Sequence, residues 1–254
     1  MTLLHMTLLQ KIKQGLPRQC HLCRLTIDQR IHYGSDNNNR LLNHSFHLWC
    51  DHCVSRLRHT TPRCQRCGLP TLESVEQCGQ CLSHPPPWDN LYCISDYQAP
   101  LKQYIQALKY QKQFWLAADL SGLLSPIIKK PAPELIPVPL HWQRLLKRNF
   151  NQSEELAHQL SAQWQKKGIH CSVNNQVFRR TQATVQQKGL NRKERLHNVR
   201  HAFELRQSPT HKHIALIDDV VTTGSTLLPL CQALRRCKVE TIDVYCLSRT
   251  PEPK

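Results

Sequence analysis

Four Cys-x-x-Cys pairs crowd into the first third of this chain of 254 residues. A segment so short, with few periodic apolar residues, buries too little surface to fold without crosslinks. Cysteine offers two kinds of crosslink, a disulfide framework and metal-bound thiolates, and disulfides need an oxidising compartment. The paired cysteines are Cys20/Cys23, Cys50/Cys53, Cys64/Cys67 and Cys78/Cys81.

The start of the chain argues for metal rather than disulfides. The apolar runs in "MTLLHMTLLQKIKQG" are too short and broken for a signal peptide, and no run in the chain approaches the length of a membrane span. We therefore expect a cytoplasmic protein without a membrane span, in which the eight paired thiolates bind two structural Zn²⁺ ions. The spacing leaves open which pairs share an ion, since consecutive and interleaved pairing both satisfy it.

The sequence pattern changes after "SHPPPWDN", residues 83–90. Three consecutive prolines form a stiff extended connector, which predicts a cysteine-rich zinc-binding module over residues 1–87 and a second domain over 88–254. In the second domain strand patterns alternate with helical ones, and Ser153 is a predicted N-cap. This alternation predicts an α/β fold with a parallel sheet and helices on both faces. The predicted strands are Leu91–Tyr97, Glu134–Leu140, His213–Asp218 and Glu240–Arg249.

Two adjacent carboxylates, Asp218 and Asp219, end the buried strand "HIALID". In open α/β sheets, ligands bind at the carboxyl ends of strands. The hydroxyl-rich turn from Thr222 to Thr226 leads into the next helix, where free N–H groups favour a phosphate. Donors for a phosphate beside acceptors for hydroxyls fit a sugar phosphate; a turn capped by the two carboxylates is the structural alternative. Because the two charges repel, we expect amide replacement of both to leave the free protein equally or more stable.

The run "IALIDDVVTTGST" resembles the signature loop with which type I phosphoribosyltransferases bind 5-phosphoribosyl 1-pyrophosphate (PRPP). The resemblance implies that Asp218 and Asp219 contact the ribose hydroxyls at the catalytic centre and that the following turn holds the 5-phosphate. It also implies that Mg²⁺ accompanies PRPP. The PRPP-binding residues would be Asp218, Asp219, Val220, Thr222, Thr223, Gly224, Ser225 and Thr226.

Nearly the whole chain resembles the ComF family, which is associated with natural competence and the use of external DNA. The resemblance lies in the order of the motifs: four cysteine pairs, "PPPWD", "SDYQAPLKQYIQALKY", "VPLHWQRLLKRNFNQSEELA", "RRTQATVQQKGLNRKERLHNVRHAF" and the PRPP signature. It implies a type I phosphoribosyltransferase-like parallel sheet preceded by a small zinc-binding module.

Two basic segments of this order carry further site residues. In "PVPLHWQRLLKRNFNQS", a polar loop after a strand, Arg144, Lys147 and Arg148 resemble the pyrophosphate loop of the phosphoribosyltransferases. Asn149 stands where the family usually has Gly, and Asn readily adopts a positive φ. A solvated basic face is the alternative reading of this segment.

The second basic segment, residues 179–203, resembles the hood that closes over bound PRPP. A basic loop that binds DNA would have a similar composition, and the two readings are compatible. The residues that match the polar positions of the hood include Arg179, Gln182, Gln186, Arg192 and Arg195.

The formal net charge of +16 favours an anionic partner such as nucleic acid or a phosphorylated metabolite. Together with the resemblance, it leads us to expect a PRPP-binding, phosphoribosyltransferase-like protein of competence, with phosphoribosyl transfer and pyrophosphate release if it is an enzyme. The alternative is a non-catalytic protein that senses PRPP or a nucleotide and binds single-stranded DNA or a DNA-uptake helicase. Fold alone does not decide between them.

Overall fold

The structure is a computed structural model that describes residues 18–27, 48–58, 61–182 and 202–251. It divides into two compact units, Met1–Arg56 and Leu57–Lys254. In the first unit, β1 (Arg18–Gln19) pairs with antiparallel β2 (Thr26–Ile27), and α1 (Asp51–Leu57) begins. This division differs from the predicted boundary between residues 87 and 88, and whether residues 1–87 fold as a separate domain stays a prediction.

The second unit is built on a five-stranded sheet with the strand order β3-β9-β8-β4-β5. Every neighbouring pair in it is parallel, as the alternation of strand and helix patterns predicts. The strands of this sheet are β3 (Asn90–Asp96), β4 (Glu134–Pro137), β5 (Ser172–Val173), β8 (His213–Val221) and β9 (Thr241–Arg249). A separate antiparallel pair joins β6 (Phe178–Arg180) to β7 (Phe203–Leu205).

Helices cover both faces of the sheet. Ile214 and Leu216 of β8 belong to the same buried cluster as Leu230 and Leu234 on one face, and Tyr245 of β9 meets the ring of Trp164 on the other. The helices of this unit are α2 (Gly79–Ser83), α3 (Leu101–Tyr110), α4 (Leu116–Leu124), α5 (Trp142–Arg148), α6 (Gln152–Gln165) and α7 (Leu227–Arg236). Among the described residues, none of the helices has the length and apolar character needed to cross a membrane.

The start of α6 differs from the prediction by two residues. The N-cap is Asn151 rather than Ser153, and its side chain accepts a hydrogen bond from the Ser153 main-chain N–H at 3.1 Å. Asn and Ser are equally good caps, so the sequence pattern cannot separate them. The shift carries Ser153 into the first turn of the helix, where it lines the cleft described below.

Glu134, at the start of β4, is a fully buried carboxylate that joins two loops to this strand. It accepts hydrogen bonds from Asn174 Nδ2 at 2.8 Å, from the Thr210 N–H at 2.8 Å and from the His211 N–H at 2.9 Å. Burial acts to raise the pKa of Glu134, but these bonds outweigh it and hold the pKa below its ordinary value.

We therefore expect Glu134→Gln to lower the free energy of unfolding by about 2 kcal/mol, because an amide is neutral and adds donors where only acceptors are used. The stabilisation that Glu134 gives is complete above its unfolded pKa and is lost as the pH falls through its lower folded pKa. Urea unfolding of both proteins at pH 8 would measure the difference. Equal midpoints would show that the carboxylate charge is not used.

Candidate functional site

A cleft of about 570 Å³ opens at the carboxyl end of the sheet. Asp218 and Asp219 of β8 lie at one wall of it, and the lining comes from segments far apart in sequence, because parallel strands bring their carboxyl ends to one edge. The cations that line it are Lys109, Lys112, Arg144, Arg148 and Arg180. A cleft so rich in cations, with two carboxylates among them, suits a ligand that carries both anionic groups and hydroxyls.

Lys109, near the end of α3, forms an ion pair with Asp219 at 2.9 Å between Nζ and Oδ1. Both side chains are mostly buried, with 14% and 12% of their surface exposed. Burial acts to lower the pKa of Lys109, but the charges of Asp219 and Asp218 raise it above its ordinary value, so the amine stays protonated. The pair fixes the position of the Asp219 carboxylate at the wall of the cleft.

Asp218 is the carboxylate whose charge the site disfavours. Burial and the charge of Asp219 raise its pKa to about 7, against the opposing influence of Lys109. Its Oδ1 accepts a hydrogen bond from the Asp219 N–H at 2.9 Å and lies 3.5 Å from Ser153 Oγ. Near neutral pH this side chain therefore exists both as a carboxylate and as a neutral acid that can also donate a hydrogen bond.

The arginines of the cleft repel one another. Burial lowers the pKa of Arg180 to about 10, and the charge of Arg144 adds to this effect while Asp218 opposes it. Arg148 lies over the Tyr110 ring, with Cζ 5.0 Å from the ring centroid, and donates to Gln152 Oε1 at 2.9 Å. Cations gathered in this way store unfavourable energy that an anion would relieve.

The predicted pyrophosphate loop is a short helix, α5, rather than a loop. Helix-forming residues fill the segment, His141 caps it through a hydrogen bond from the Gln143 N–H at 3.3 Å, and Asn149 ends it with φ of 66°. The prediction that Asn149 adopts a positive φ is confirmed. Arg144 and Arg148 of this helix line the cleft, whereas the side chain of Lys147 lies outside the described residues.

The predicted phosphate turn follows β8 directly, and its centre needs a glycine. Gly224 has φ of +72°, and a Cβ added there would lie 2.5 Å from Cη2 of Trp88. Thr223 Oγ1 and Ser225 Oγ are 3.1 Å apart, so these hydroxyls already contact each other. Of the predicted PRPP-binding residues, Asp218, Asp219, Val220 and Thr226 line the cleft; Thr222, Thr223, Gly224 and Ser225 form the turn beside it.

The predicted hood is described only at its base. Arg179 belongs to β6 and lines a neighbouring cavity of about 430 Å³, and the main-chain carbonyl of Gln182 accepts a hydrogen bond from Arg180 Nε at 3.4 Å. Gln186, Arg192 and Arg195 lie outside the described residues. Their predicted contact with PRPP stays a prediction.

Sequence reasoning did not find Lys109, Lys112 or Arg180 as site residues. A signal existed for Lys109, which follows buried Ile105 by four residues and so lies on the apolar face of its helix. A lysine on a buried face needs an anionic partner. The sequence pattern could not identify that partner, because Asp219 lies more than 100 residues further along the chain.

The eight paired cysteines gather into two groups of four, and the open question of pairing is settled in favour of consecutive pairs. The groups are Cys20, Cys23, Cys50 and Cys53, and Cys64, Cys67, Cys78 and Cys81, with the sulfur atoms of each group within 4.8 Å of one another. Neighbouring sulfurs are 3.7–3.8 Å apart where they contact. A tetrahedron with zinc–sulfur bonds of about 2.3 Å has edges of about 3.8 Å, so both groups can hold a zinc ion.

Main-chain N–H groups aimed at sulfur favour the thiolate that a metal requires. The Cys50 N–H points at Cys20 Sγ at 3.4 Å, and the Cys78 N–H points at Cys64 Sγ at 3.2 Å. Burial acts to raise the pKa of both accepting thiols, but the N–H groups outweigh it and lower the pKa to about 6 for Cys20 and about 7 for Cys64. Each group therefore has one cysteine ready to ionise.

The Lys109 ion pair argues against the expectation that amides at both acidic positions leave the free protein as stable, and this expectation stays untested. We expect Asp219→Asn to lower the free energy of unfolding by about 3 kcal/mol, because Lys109 loses its partner while it stays mostly buried. Asp218→Asn should instead stabilise the free protein by more than about 1 kcal/mol at pH 8, because the raised pKa means that a buried charge is removed.

The size of this second effect depends on pH. The folded protein binds more protons at Asp218 than the unfolded chain between the unfolded pKa of about 4 and the folded pKa near 7, so the stability of the unmutated protein falls as pH rises through this window. The advantage of Asp218→Asn should therefore be larger at pH 8 than at pH 5, as measured by urea unfolding. An Asp219→Asn variant as stable as the unmutated protein would contradict the role of the ion pair.

Several known proteins are similar in sequence to this chain. Residues 149–254 match the phosphoribosyl transferase domain family. The chain is 34% identical over 244 residues to DNA utilization protein YhgH of Escherichia coli (strain K12), covering 92% of this chain and 98% of that protein. Competence protein F of Haemophilus influenzae is 35% identical, over 79% of this chain and 90% of its own length.

Two similarities are more distant. Competence protein ComFC of Streptococcus pneumoniae is 25% identical over 79% of this chain and 80% of its own. A hypoxanthine phosphoribosyltransferase of Staphylococcus aureus, 14% identical, covers 59% of this chain and 75% of its own with a TM-score of 0.28, too low to bear on the fold. The parallel sheet with its carboxylate-ended strand, the two four-cysteine groups and the relatives matched over almost their full length lead to one conclusion: the chain belongs to the ComF family of competence and DNA-utilisation proteins.

Proposed function

We propose that the cleft binds PRPP and that the protein transfers its phosphoribosyl group to a nitrogen nucleophile with release of pyrophosphate. The observation that carries the proposal is the pairing of two carboxylates with five cations in one cleft at the carboxyl end of β8. PRPP presents two anionic groups, a 5-phosphate and a pyrophosphate, on either side of a ribose with two free hydroxyls. Each part of that ligand has a counterpart in the cleft.

The carboxylates suit the ribose. Carboxylate oxygens accept hydrogen bonds from hydroxyls, and Asp219 is held in place for this by Lys109 at 2.9 Å. The neutral form of Asp218, whose pKa is raised to about 7, can donate to one hydroxyl while it accepts from another. The turn from Thr222 to Thr226 supplies N–H groups and hydroxyls for the 5-phosphate.

The arginines suit the pyrophosphate. Arg144 and Arg148 project from α5, and Arg180 from β6, so three guanidinium groups approach the cleft from two elements. Guanidinium groups bind phosphate oxygens in a forked geometry, and they stabilise the charge that builds on the leaving pyrophosphate. Mg²⁺ bound to the pyrophosphate would neutralise part of that charge.

The proposed reaction needs little covalent chemistry from the protein. The nucleophile's lone pair forms a bond to C1 of the ribose while the bond from C1 to the pyrophosphate oxygen breaks, and the pyrophosphate leaves with the bonding electrons. Positive charge develops on the sugar ring in between, and the carboxylate of Asp219 at the wall of the cleft offsets it. The proton lost by the nucleophile passes to solvent or to an ionised Asp218, whose raised pKa suits a proton acceptor.

A second candidate function is binding without turnover. The formal net charge of +16 and the names of the relatives, which refer to competence and DNA utilization, favour a second kind of protein. It would bind PRPP or a nucleotide and also hold single-stranded DNA or a DNA-uptake helicase. Both candidates use the same cleft, and release of pyrophosphate from PRPP distinguishes the first from the second.

Calorimetric titration of PRPP with Mg²⁺ should give saturable binding to the unmutated protein. The double variant Asp218→Asn with Asp219→Asn should bind PRPP at least roughly a hundredfold more weakly, since each charge-assisted hydrogen bond contributes about 1.5–3 kcal/mol. Arg144→Met should lose roughly tenfold for PRPP and for pyrophosphate. Arg236→Met, on the exposed side of α7, removes the same charge outside the cleft and is the matched control.

The second measurement separates the two candidates. Pyrophosphate should appear when the protein is incubated with PRPP, Mg²⁺ and a panel of bases, and the double variant should release none. PRPP binding without release from any base would favour the non-catalytic function. Failure of the unmutated protein to bind PRPP would refute the first candidate and the PRPP-sensing form of the second.

We also propose that each four-cysteine group binds one Zn²⁺. Elemental analysis after gel filtration of the reduced protein should give about two zinc ions per chain, as expected for two closed four-thiolate sites. Cys23→Ser and Cys78→Ser, one in each group, should each remove about one ion. Less than one ion per chain in the unmutated, reduced protein would contradict this proposal.

A further inference from the structure

The second cysteine group lies in the same compact unit as the sheet, and the turn that contains its first two cysteines is hydrogen-bonded to that sheet. We call this turn, residues 63–70, the cysteine turn. The Leu91 N–H of β3 donates to the Gln65 carbonyl at 2.8 Å, and a Cβ on Gly68 would lie 2.3 Å from Leu91 Cδ2. The turn is thus packed closely against the sheet at β3.

Arg249, the last residue of β9, joins the cysteine turn to the strand that carries the two carboxylates. Only 4% of its surface is exposed, and in the sheet it is paired with Val221 of β8. Its Nε donates to the Cys67 carbonyl at 3.0 Å, and its Nη1 donates to the Val221 carbonyl at 3.2 Å and to the Thr222 carbonyl. One buried side chain therefore connects a metal-binding turn with the start of the phosphate turn.

The direction of these hydrogen bonds matters for the ligand. In a planar trans peptide the carbonyl of one residue and the N–H of the next point in opposite directions. Because the carbonyls of Val221 and Thr222 face Arg249, the N–H groups of Thr222 and Thr223 face away from it. Arg249 thus orients two main-chain donors of the turn proposed to hold the phosphate.

Trp88 makes a second, independent connection between the same two segments. Its indole Nε1 donates to the Arg66 carbonyl of the cysteine turn at 2.7 Å. Its ring lies so close to Gly224 that a Cβ there would be 2.5 Å from Cη2. The consecutive carbonyls of Arg66 and Cys67 therefore each hold a side chain, Trp88 and Arg249 respectively, that contacts the phosphate turn.

We infer that a metal ion in the second cysteine group positions the phosphate turn, with Arg249 and Trp88 as the positioning residues. The metal fixes the Cys64–Cys67 backbone, whose carbonyls hold both side chains, and these hold residues 221–224. Loss of the metal frees the cysteine turn, leaves buried donors of Arg249 without a fixed acceptor, and so loosens the phosphate turn. The effect on ligand affinity rests on the proposed PRPP site, whereas the effect on the order of the turn does not.

The test compares four variants of the full chain. Arg249→Met removes the donors but keeps every thiol, and Cys78→Ser removes one ligand of the second group. Arg58→Met is the control for the first, because Arg58 also donates to a main-chain carbonyl, that of Gly122 in α4 at 3.2 Å. Cys23→Ser is the control for the second, because it belongs to the group in the other compact unit.

The first measurement is amide hydrogen exchange of residues 220–226 in the absence of ligand. Arg249→Met should keep both metal ions by elemental analysis yet lose roughly tenfold or more in protection of this segment, since a lost charge-assisted bond is a tenfold effect or larger. Cys78→Ser should lose one ion and show the same loss of protection. Both controls should leave protection of residues 220–226 unchanged.

The second measurement is calorimetric titration of PRPP with Mg²⁺. Arg249→Met and Cys78→Ser should bind PRPP at least roughly tenfold more weakly, while both controls should bind it as the unmutated protein does. Unchanged exchange of residues 220–226 in metal-retaining Arg249→Met would overturn the inference, whatever PRPP does. Failure of the unmutated protein to bind PRPP, with exchange altered as expected, would overturn only the proposed function and leave the connection between metal and turn in place.

Discussion

Two adjacent carboxylates at the end of a buried strand are the constraint on which the second unit depends. Two such charges need positive partners to stay away from water, and in this chain the two carboxylates are not compensated equally. Asp219 is paired with Lys109 at 2.9 Å, whereas Asp218 is compensated less and has a pKa raised to about 7. The strand can keep its position at the centre of the sheet because α3 delivers a lysine to its end.

The cations of the cleft come from segments that meet at the same edge of the sheet. α3 follows β3 and contributes Lys109, and α5 follows β4 and contributes Arg144 and Arg148. β6 adds Arg180, so each of these segments brings positive charge close to β8. Far more positive charge gathers there than two carboxylates can balance. Such an arrangement destabilises the free protein slightly and favours a polyanion, which is the usual exchange of stability for binding at functional sites.

The sequence predicts the strands that carry this site well, but it predicts poorly which distant side chains contact each other there. Strand runs such as "HIALID" alternate with helical patterns, and local pattern is sufficient to predict a parallel sheet and the positions of Asp218 and Asp219. Asn149 was also predictable, because the need for a positive φ is a local property. The Lys109 ion pair and the grouping of the cysteines were not, because they depend on which distant segments the folded chain brings together. The short helix α5 was missed because the resemblance to a loop outweighed seven residues of ordinary helix-forming character.

In the proposed PRPP site, a neutral Asp218 beside Asp219 would suit a ribose better than two fully ionised side chains would. A ribose diol can donate two hydrogen bonds but it also has two oxygens that accept, and a pair of ionised carboxylates can only accept. When Asp218 is neutral, a state that its raised pKa favours, the pair can accept both hydroxyl protons and still return one donor. An approaching pyrophosphate would favour the neutral form of Asp218 further, since a nearby negative charge raises the pKa of a carboxyl group. The repulsion that makes this strand end costly in the free protein would therefore also adapt it to the proposed ligand, which carries hydroxyls between two anionic groups.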